Sequence, residues 1–183
     1  MGRLGDQEED VKRGLNIGSG ERKFITCSEV EWCNVDKVSR PGEEPDLIAD
    51  GARLPFPDNS ADFYVLHHCL EHEGCGEGTG LIEEAYRVLK PGGSLLVFVP
   101  DLRELAFAWL NGRLTTQIYV TNLYGAFRGN DESRHRWGYD QKSLLEYLAK
   151  CCEWGEVKDF DWRTIPGADC ARDFWIAHAE AVK

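Results

Sequence analysis

The sequence lacks any apolar run close to the about 20 residues that a membrane-spanning helix needs, and its polar, acidic start lacks the apolar core of a signal peptide. Basic residues are also scarce, since 21 lysines and arginines stand against 32 aspartates and glutamates, for a formal net charge of -11. Because a field of that sign repels phosphate backbones, nucleic acid is a disfavoured partner. We therefore expect a cytoplasmic protein that binds neither a membrane nor nucleic acid.

A disulfide framework is absent as well. The chain has seven cysteines, an odd number, and their spacings match no pattern typical of secreted scaffolds, so we expect reduced thiols. With 183 residues and no internal repeat or linker, the chain suits one domain over residues 13–183, preceded by a loose polar tail at residues 1–12. We expect this domain to act as a monomer or a weak homodimer.

What the sequence does contain is an alternation of strand-like and helix-like segments, which predicts a mostly parallel sheet with helices on its faces. Because strands joined by a tight connection are usually antiparallel, the sheet is expected to be mixed at its end. The segment 21–32 has room for one or two helical turns at most. The predicted strands are 14–17, 33–35, 46–49, 62–66, 94–99, 156–162 and 174–182, and the predicted helices are 80–89, 102–110, 114–124 and 143–150.

The strongest local signal is LNIGSG, in which the first strand runs into Gly18 and Gly20. Glycines there let the backbone approach a ligand without a Cβ in the way. Asp36 and Asp50 end the next two strands, and the carboxyl ends of parallel strands meet at one edge of the sheet. The carboxylate of Asp36 is suitably placed to accept the hydrogen bonds of a ribose diol. Each feature taken alone is also compatible with an ordinary turn.

The combination of these features with the segments that follow resembles the class I S-adenosylmethionine-dependent methyltransferases, most closely their small-molecule branch. The resemblance is carried by LNIGSG, VD, IADGARLPFPDNSADFYVLHHCLEH and EAYRVLKPGGSLLVFVPD, between residues 14 and 101. It implies a Rossmann-like α/β fold, a three-layer sandwich with a seven-stranded, mostly parallel sheet whose last strand is antiparallel. It also implies S-adenosylmethionine as the cofactor.

Site roles follow from the same resemblance. Gly18 and Gly20, with Ser19 between them, would cradle the methionine part of the cofactor, and Asp36 would hold the ribose hydroxyls. Asp50 would accept a hydrogen bond from the adenine amine. The other expected cofactor contacts are the backbone at Gly51 and Ala52, Leu54 beside the adenine, His67 near the transferring methyl group, and Asn16.

Two departures from the family pattern concern the cofactor. Asn16 stands where an acidic residue is common, which weakens one electrostatic contact. The segment between Gly20 and Cys33 is shorter than the usual helix, which reduces the expected enclosure of the cofactor's amino-acid end.

A cluster of His67, His68, Cys69, His72 and Cys75 follows the fourth strand. His68 and His72 are four apart, and on a helix they would share a face, a spacing that can hold a metal ion. We instead expect histidines that line the pocket, cysteines that act as small buried hydrophobes, and no metal.

The acceptor pocket is expected to be covered by residues 102–140. In that segment Arg134 and Arg136 would bind an anionic group of the acceptor or remain solvated. The candidate catalytic residues, as a general base or as contacts to the acceptor, are His68, His72 and His135.

The expected activity is methyl transfer to an O, N or C atom of a small polar molecule, with a sugar or related metabolite as the first choice. Such a reaction mainly requires alignment of the acceptor and exclusion of water. One alternative is a nicotinamide-dependent oxidoreductase, but its motif requires a third glycine at the position of Lys23. The other alternative is a non-catalytic regulatory protein that binds S-adenosylmethionine.

Overall fold

The computed structural model describes residues 11–126, 131–167 and 175–183, in which seven strands form one sheet in the order β3-β2-β1-β4-β5-β7-β6. All pairings are parallel except those of β7, which is antiparallel to both β5 and β6. The predicted seven-stranded, mostly parallel sheet with an antiparallel last strand is therefore confirmed. The strands are β1 (Lys12–Ile17), β2 (Val30–Asp36), β3 (Leu47–Ile48), β4 (Ala61–His67), β5 (Leu89–Pro100), β6 (Glu156–Lys158) and β7 (Ile176–Val182).

Four α-helices lie in the described part of the chain, close to their predicted bounds. Side-chain caps fix three of them: Asp101 accepts hydrogen bonds from two backbone amides of α2, Thr115 accepts one at the start of α3, and Asp140 forms a capping box with Ser143 at the start of α4. None of the described helices is long and apolar enough to cross a bilayer. The helices are α1 (Thr79–Val88), α2 (Leu102–Leu110), α3 (Thr116–Tyr124) and α4 (Gln141–Cys151).

One face of the sheet is covered by α1 and α4. Residues on β7 alternate between buried and partly buried, and the three buried ones are alanines, which leave room for α4 against the strand. Leu144 and Leu148 on α4 and Ile82 on α1 are fully buried in this core. The apolar stripe predicted for α1 therefore packs against the sheet as expected.

The opposite face is covered by irregular chain. Phe24 meets Trp32 edge-on with ring centroids 4.7 Å apart, and Trp32 Nε1 donates a hydrogen bond to the carbonyl of Pro166. No helix forms between residues 21 and 29, where the sequence predicts at most one or two helical turns. The third layer of the sandwich is thus built here from the crossover segment and the chain near Pro166.

Two buried asparagines hold that crossover segment. Asn34 Oδ1 accepts hydrogen bonds from the backbone amide of Phe24 and from Asn16 Nδ2, at 2.8 and 3.0 Å. Asn16 Nδ2 also donates to the carbonyl of Arg22. These bonds satisfy buried backbone groups that a helix would otherwise pair internally, so Asn16 has a structural function in this chain.

Three predicted strand boundaries differ from the structure by three residues or more, and the other strand bounds differ by two at most. β2 begins at Val30 instead of Cys33, because Val30 and Trp32 are buried and pair with β1. β5 begins at Leu89 instead of Ser94, because Leu89 pairs with Ala61 of β4 and does not continue the helix before it. β6 ends at Lys158 instead of Trp162, because Asp159 and Asp161 accept hydrogen bonds from nearby backbone amides, which competes with the strand ladder.

Candidate active site

A cavity of about 600 Å³ opens at the carboxyl ends of β1, β2 and β4, with part of α3 along one wall. This edge is where open parallel sheets bind ligands. All three candidate catalytic histidines line the cavity. Of the ten predicted cofactor contacts, six line it: Gly18, Ser19, Gly20, Asp36, Asp50 and His67.

The turn after β1 requires two glycines. Gly18 and Gly20 have φ angles of +66° and +44°, in the left-handed region that other residues rarely adopt. A Cβ on Gly18 would lie 2.9 Å from Cys69 Sγ, whereas a Cβ on Gly20 would meet no atom within 4 Å. The backbone at Gly20 is therefore open to a molecule in the cavity.

Asp36 joins this glycine turn to the loop after β2. Its Oδ2 accepts a hydrogen bond from the amide of Gly20 at 3.0 Å, and its Oδ1 accepts one from the amide of Val38 at 2.9 Å. Each carboxylate oxygen has two lone pairs, so both oxygens remain able to accept a ribose hydroxyl. Asp36 thus positions the turn and can still bind a ligand.

Asp50 reaches the cavity from the segment after β3. Its Oδ1 accepts a hydrogen bond from the amide of Ala52 at 3.0 Å, which fixes the turn, and the side chain is exposed. Beneath it, Tyr64 donates its hydroxyl to the carbonyl of Gly51 at 2.7 Å.

Four of the predicted cofactor contacts lie outside the cavity lining. Gly51 packs on Ile17 and Leu81, where a Cβ would clash, and Leu54 is buried in the core. Ala52 is exposed beside Asp50, and Asn16 is fully buried under the glycine turn. Their contacts with the cofactor stay predictions.

Two buried polar side chains on the cavity wall have atoms without hydrogen-bond partners among the described residues. They are Ser19, 3% exposed, at Oγ, and His67, 4% exposed, at both ring nitrogens. Burial lowers the pKa of His67 to about 2, so its ring is neutral. Buried polar groups are rarely left unpaired, and those on a cavity wall are available to a bound molecule.

The charge of the cavity suits a cationic ligand. Five carboxylates line it against three basic side chains. A sulfonium ion, which is positively charged, is favoured in such a field. The open glycine backbone, the ribose-binding carboxylate and the unpaired polar groups therefore fit S-adenosylmethionine.

A buried carboxylate lies among the candidate catalytic histidines. Glu71 is 1% exposed, and its Oε1 lies 3.0 Å from His68 Nδ1 and 4.0 Å from His135 Nε2. Burial opposes the ionisation of Glu71, but the hydrogen bond from His68 and the nearby imidazoles hold the pKa of its carboxyl below the ordinary value. The carboxylate is therefore ionised at neutral pH.

The rings of His72 and His135 meet edge-on, with centroids 4.9 Å apart. His135 Nδ1 lies 2.8 Å from the carbonyl oxygen of Asn122 on α3, and His72 Nδ1 lies 3.1 Å from that of Arg134. Burial lowers the pKa of His135 below its ordinary value, which favours a neutral ring. The carbonyl of Glu71 accepts hydrogen bonds from the amides of Arg136 and Trp137, which holds the segment of His135 against the turn after β4.

Sequence reasoning missed Glu71, although it lies in the run IADGARLPFPDNSADFYVLHHCLEH that carries part of the family resemblance. A carboxylate between buried Leu70 and a histidine was the available signal. His68 and His72 do not share a helical face, the arrangement that we set aside from the sequence, because only Leu70–His72 makes a 3₁₀ turn and His68 precedes it with φ +53°. Asp131 forms ion pairs with both Arg134 and Arg136, which do not line the cavity.

Residues 19–97 match a family described as a methyltransferase domain. Uncharacterized protein MJ1123 of Methanocaldococcus jannaschii is 34% identical over 95 residues, 49% of this chain and 45% of that protein. Human acetylserotonin O-methyltransferase is 30% identical over 105 residues, 57% of this chain and 29% of that enzyme. The matched part of the chain thus spans less than half of either relative.

Solved structures share the fold. A SAM-dependent methyltransferase from Thermotoga maritima superposes with a TM-score of 0.59 and 17% identity, over 95% of this chain and 83% of that one. The 1,6-didemethyltoxoflavin-N1-methyltransferase of Burkholderia thailandensis has S-adenosylhomocysteine bound. It superposes with a TM-score of 0.57 and 14% identity, over 94% of this chain and 71% of that one. The chain therefore has the fold of these S-adenosylmethionine-dependent methyltransferases, and its residues 19–97 are similar to the methyltransferase-domain family.

Proposed function

We propose that this protein transfers a methyl group from S-adenosylmethionine to an O, N or C atom of a small polar molecule. The observation that carries the proposal is a single cavity with two chemically different ends. Along the edge of the sheet the glycine turn, Asp36 and Asp50 follow β1, β2 and β3, whereas the turn that carries His68, Glu71 and His72 follows β4. The first end suits the cofactor, and the second suits the acceptor.

Bound S-adenosylmethionine supplies a methyl group that is already activated by a positively charged sulfur. The protein's own residues have to bind the two reactants, align them and exclude water. The backbone of Gly18 and Gly20 and the carboxylate of Asp36 would hold the cofactor. His67, neutral and without a hydrogen-bond partner among the described residues, would donate or accept one hydrogen bond beside it.

The acceptor would bind between the histidines and α3, whose Thr121 and Asn122 line the cavity. His68, His72 and His135 would contact the acceptor or take its proton where it carries one. The acceptor is the one partner we propose, for a monomer or a weak homodimer. Sugars and related metabolites form the first class to test. Phenols and nitrogen heterocycles form the second, since the human relative is named for O-methylation and the Burkholderia enzyme for N-methylation.

The test has two steps. Calorimetric titration should show saturable binding of S-adenosylmethionine and S-adenosylhomocysteine but not of NADH. Methyl-labelled cofactor should then transfer its label to at least one acceptor class in a screen of sugars, phenols and nitrogen heterocycles. Cofactor binding without transfer to any acceptor would favour the non-catalytic alternative, and binding of NADH alone would favour the oxidoreductase.

A further inference from the structure

Three side chains at the acceptor end of the cavity bring together the atoms of a metal site. Each of Glu71, His72 and His135 offers one ligand atom, and these atoms lie within 4.8 Å of one another. Glu71 and His72 belong to the turn after β4, whereas His135 follows α3. We propose that Glu71, His72 and His135 bind one divalent transition-metal ion, with zinc as the first candidate.

The hydrogen bonds of the two imidazoles leave the correct nitrogens available. A carbonyl oxygen only accepts, so the Nδ1 atoms of His72 and His135 donate to the carbonyls of Arg134 and Asn122. In a neutral ring the lone pair is then on Nε2, and His135 Nε2 lies 4.0 Å from Glu71 Oε1. Histidines that bind metals usually donate their other ring N–H to a carbonyl or carboxylate in this way.

The carboxylate supplies an independent observation. Glu71 is 1% exposed, and its Oε2 has no hydrogen-bond partner among the described residues. A buried carboxylate oxygen without a partner is unfavourable, and a cation would satisfy it. His68 Nδ1 lies 3.0 Å from Oε1 and orients the carboxylate, so we assign His68 a positioning role and not a ligand role.

The donor set limits the kind of ion. Two imidazoles and one carboxylate are typical of catalytic zinc sites and of two-histidine, one-carboxylate iron sites, which keep coordination positions open. Magnesium and calcium prefer oxygen ligands throughout. Ligands about 2.0–2.2 Å from a tetrahedral ion lie about 3.5 Å apart, so the side chains would close in slightly.

The position of the site indicates the class of acceptor. His72 and His135 line the cavity, so the open coordination positions would face the bound acceptor. This part of the inference rests on the proposed methyl transfer. It favours acceptors with an oxygen or nitrogen donor next to the methylated atom.

The sequence pointed away from this site because it showed only the spacing of His68 and His72. In the fold, His68 turns to the carboxylate and His135 takes the place of the third ligand. Neither Glu71 nor His135 could be connected to His72 by local spacing.

The test uses the full chain after chelator treatment, with Zn²⁺ measured by calorimetry and Co²⁺ by its visible absorption. One equivalent of either ion should bind. Loss of an orienting partner typically weakens metal binding about 10–100-fold, so His68→Ala should lower the metal affinity by that factor. His72→Ala and His135→Ala remove a ligand and should each lower the affinity by more than about 100-fold. His178→Ala, a histidine that does not line the cavity, should bind as the unmodified protein does.

Failure of the unmodified protein to bind either ion would overturn the site, as would unchanged binding in His135→Ala. Loss of zinc binding in Cys75→Ala instead of the histidine variants would assign the ion to thiols and also overturn it. Circular dichroism checks that each variant is folded. S-adenosylmethionine binding is measured separately on the metal-free protein, so a failure there counts against the proposed function and not against the metal site.

Discussion

Gly20 and Gly112 have left-handed backbones, with φ +44° and +69°, and a Cβ on either would meet no atom within 4 Å. They differ in place, because Gly20 lines the cavity and Gly112 does not. Comparison of the two glycines therefore distinguishes the effect of backbone strain from the effect of contact with the ligand.

We predict that Gly20→Ala and Gly112→Ala lose similar stability, about 1–2 kcal/mol, because both place an alanine in the left-handed region. Only Gly20→Ala should weaken S-adenosylmethionine binding, since the added methyl group projects towards the ligand. Chemical denaturation and calorimetry measure the two effects. Equal cofactor affinity in both variants would show that the glycine turn does not contact the cofactor.

Asp36→Ala removes a carboxylate that accepts backbone hydrogen bonds on both oxygens and is expected to bind the ribose. Hydrogen bonds to charged groups contribute about 1.5–3 kcal/mol, so S-adenosylmethionine should bind about 10–100-fold more weakly. Calorimetric titration measures the loss. Glu146→Ala, which removes an exposed carboxylate on α4, should leave the affinity unchanged. An unchanged affinity in Asp36→Ala would contradict the ribose assignment.

At the scale of elements, Arg87 on α1 stabilises the loop before β4. Its guanidinium donates to the carbonyls of Leu54 and Phe56 and pairs with Asp58 and Glu84. Glu84 in turn accepts a hydrogen bond from the amide of Leu54. The loop from Leu54 to Asp58 is therefore held by one ion-pair cluster.

The hydrogen bonds from Arg87 hold the pKa of Glu84 below its ordinary value of 4.5, against the opposing effect of burial. A lowered pKa means that this stability is present above pH 4.5 and is lost as the pH falls through the lower value in the folded state. We predict that Glu84→Gln is about 1–3 kcal/mol less stable than the unmodified protein at neutral pH.

Urea denaturation at neutral pH and at a series of pH values below 4.5 checks this, because protonation removes the same charge from the unmodified protein. The difference in the free energy of unfolding between the unmodified protein and Glu84→Gln should therefore decrease as the pH falls. A difference that stays constant with pH would mean that the charge of Glu84 does not stabilise the loop.

Helices α1, α2 and α4 and most strands were predictable because each has an apolar stripe or run of its own that is buried in the fold. The segment 21–29 was not, since its conformation depends on the hydrogen bonds of Asn16 and Asn34, which lie on neighbouring strands. β6 was shortened by local side-chain bonds that compete with pairing.

The candidate site likewise has a part that the sequence predicts and a part that it does not. The glycine turn and Asp36 follow directly from strand ends, and the structure places them together on the cavity. The convergence of Glu71 and His135 could not be predicted, because their segments meet only when the chain after α3 folds back on the turn after β4. Local spacing contains no information about such a contact.

At the scale of the whole molecule, one sheet separates two hydrophobic cores, one on each of its faces. Val97 and Phe98 are neighbours on β5, and each belongs to the core on a different face. We predict a single cooperative unfolding transition. At a concentration about 100 times its dissociation constant, S-adenosylmethionine should add about 2.7 kcal/mol and raise the melting temperature by about 5–10 °C.

Calorimetric melting with and without cofactor measures this shift, and Asp36→Ala should show a smaller one at the same cofactor concentration. Two separate transitions would show that the faces unfold independently. A single transition without any shift would contradict cofactor binding.

The placement of β7 between β5 and β6 has a consequence for synthesis on the ribosome. Every earlier strand can join the sheet in the order in which it emerges, but β6 has no neighbour until residues 176–182 have left the exit tunnel. Until then the nascent chain carries the open edge of β5, which can pair with another chain. Closure of this end of the sheet therefore waits for β7, and the open edge of β5 can pair with other chains until β7 is available.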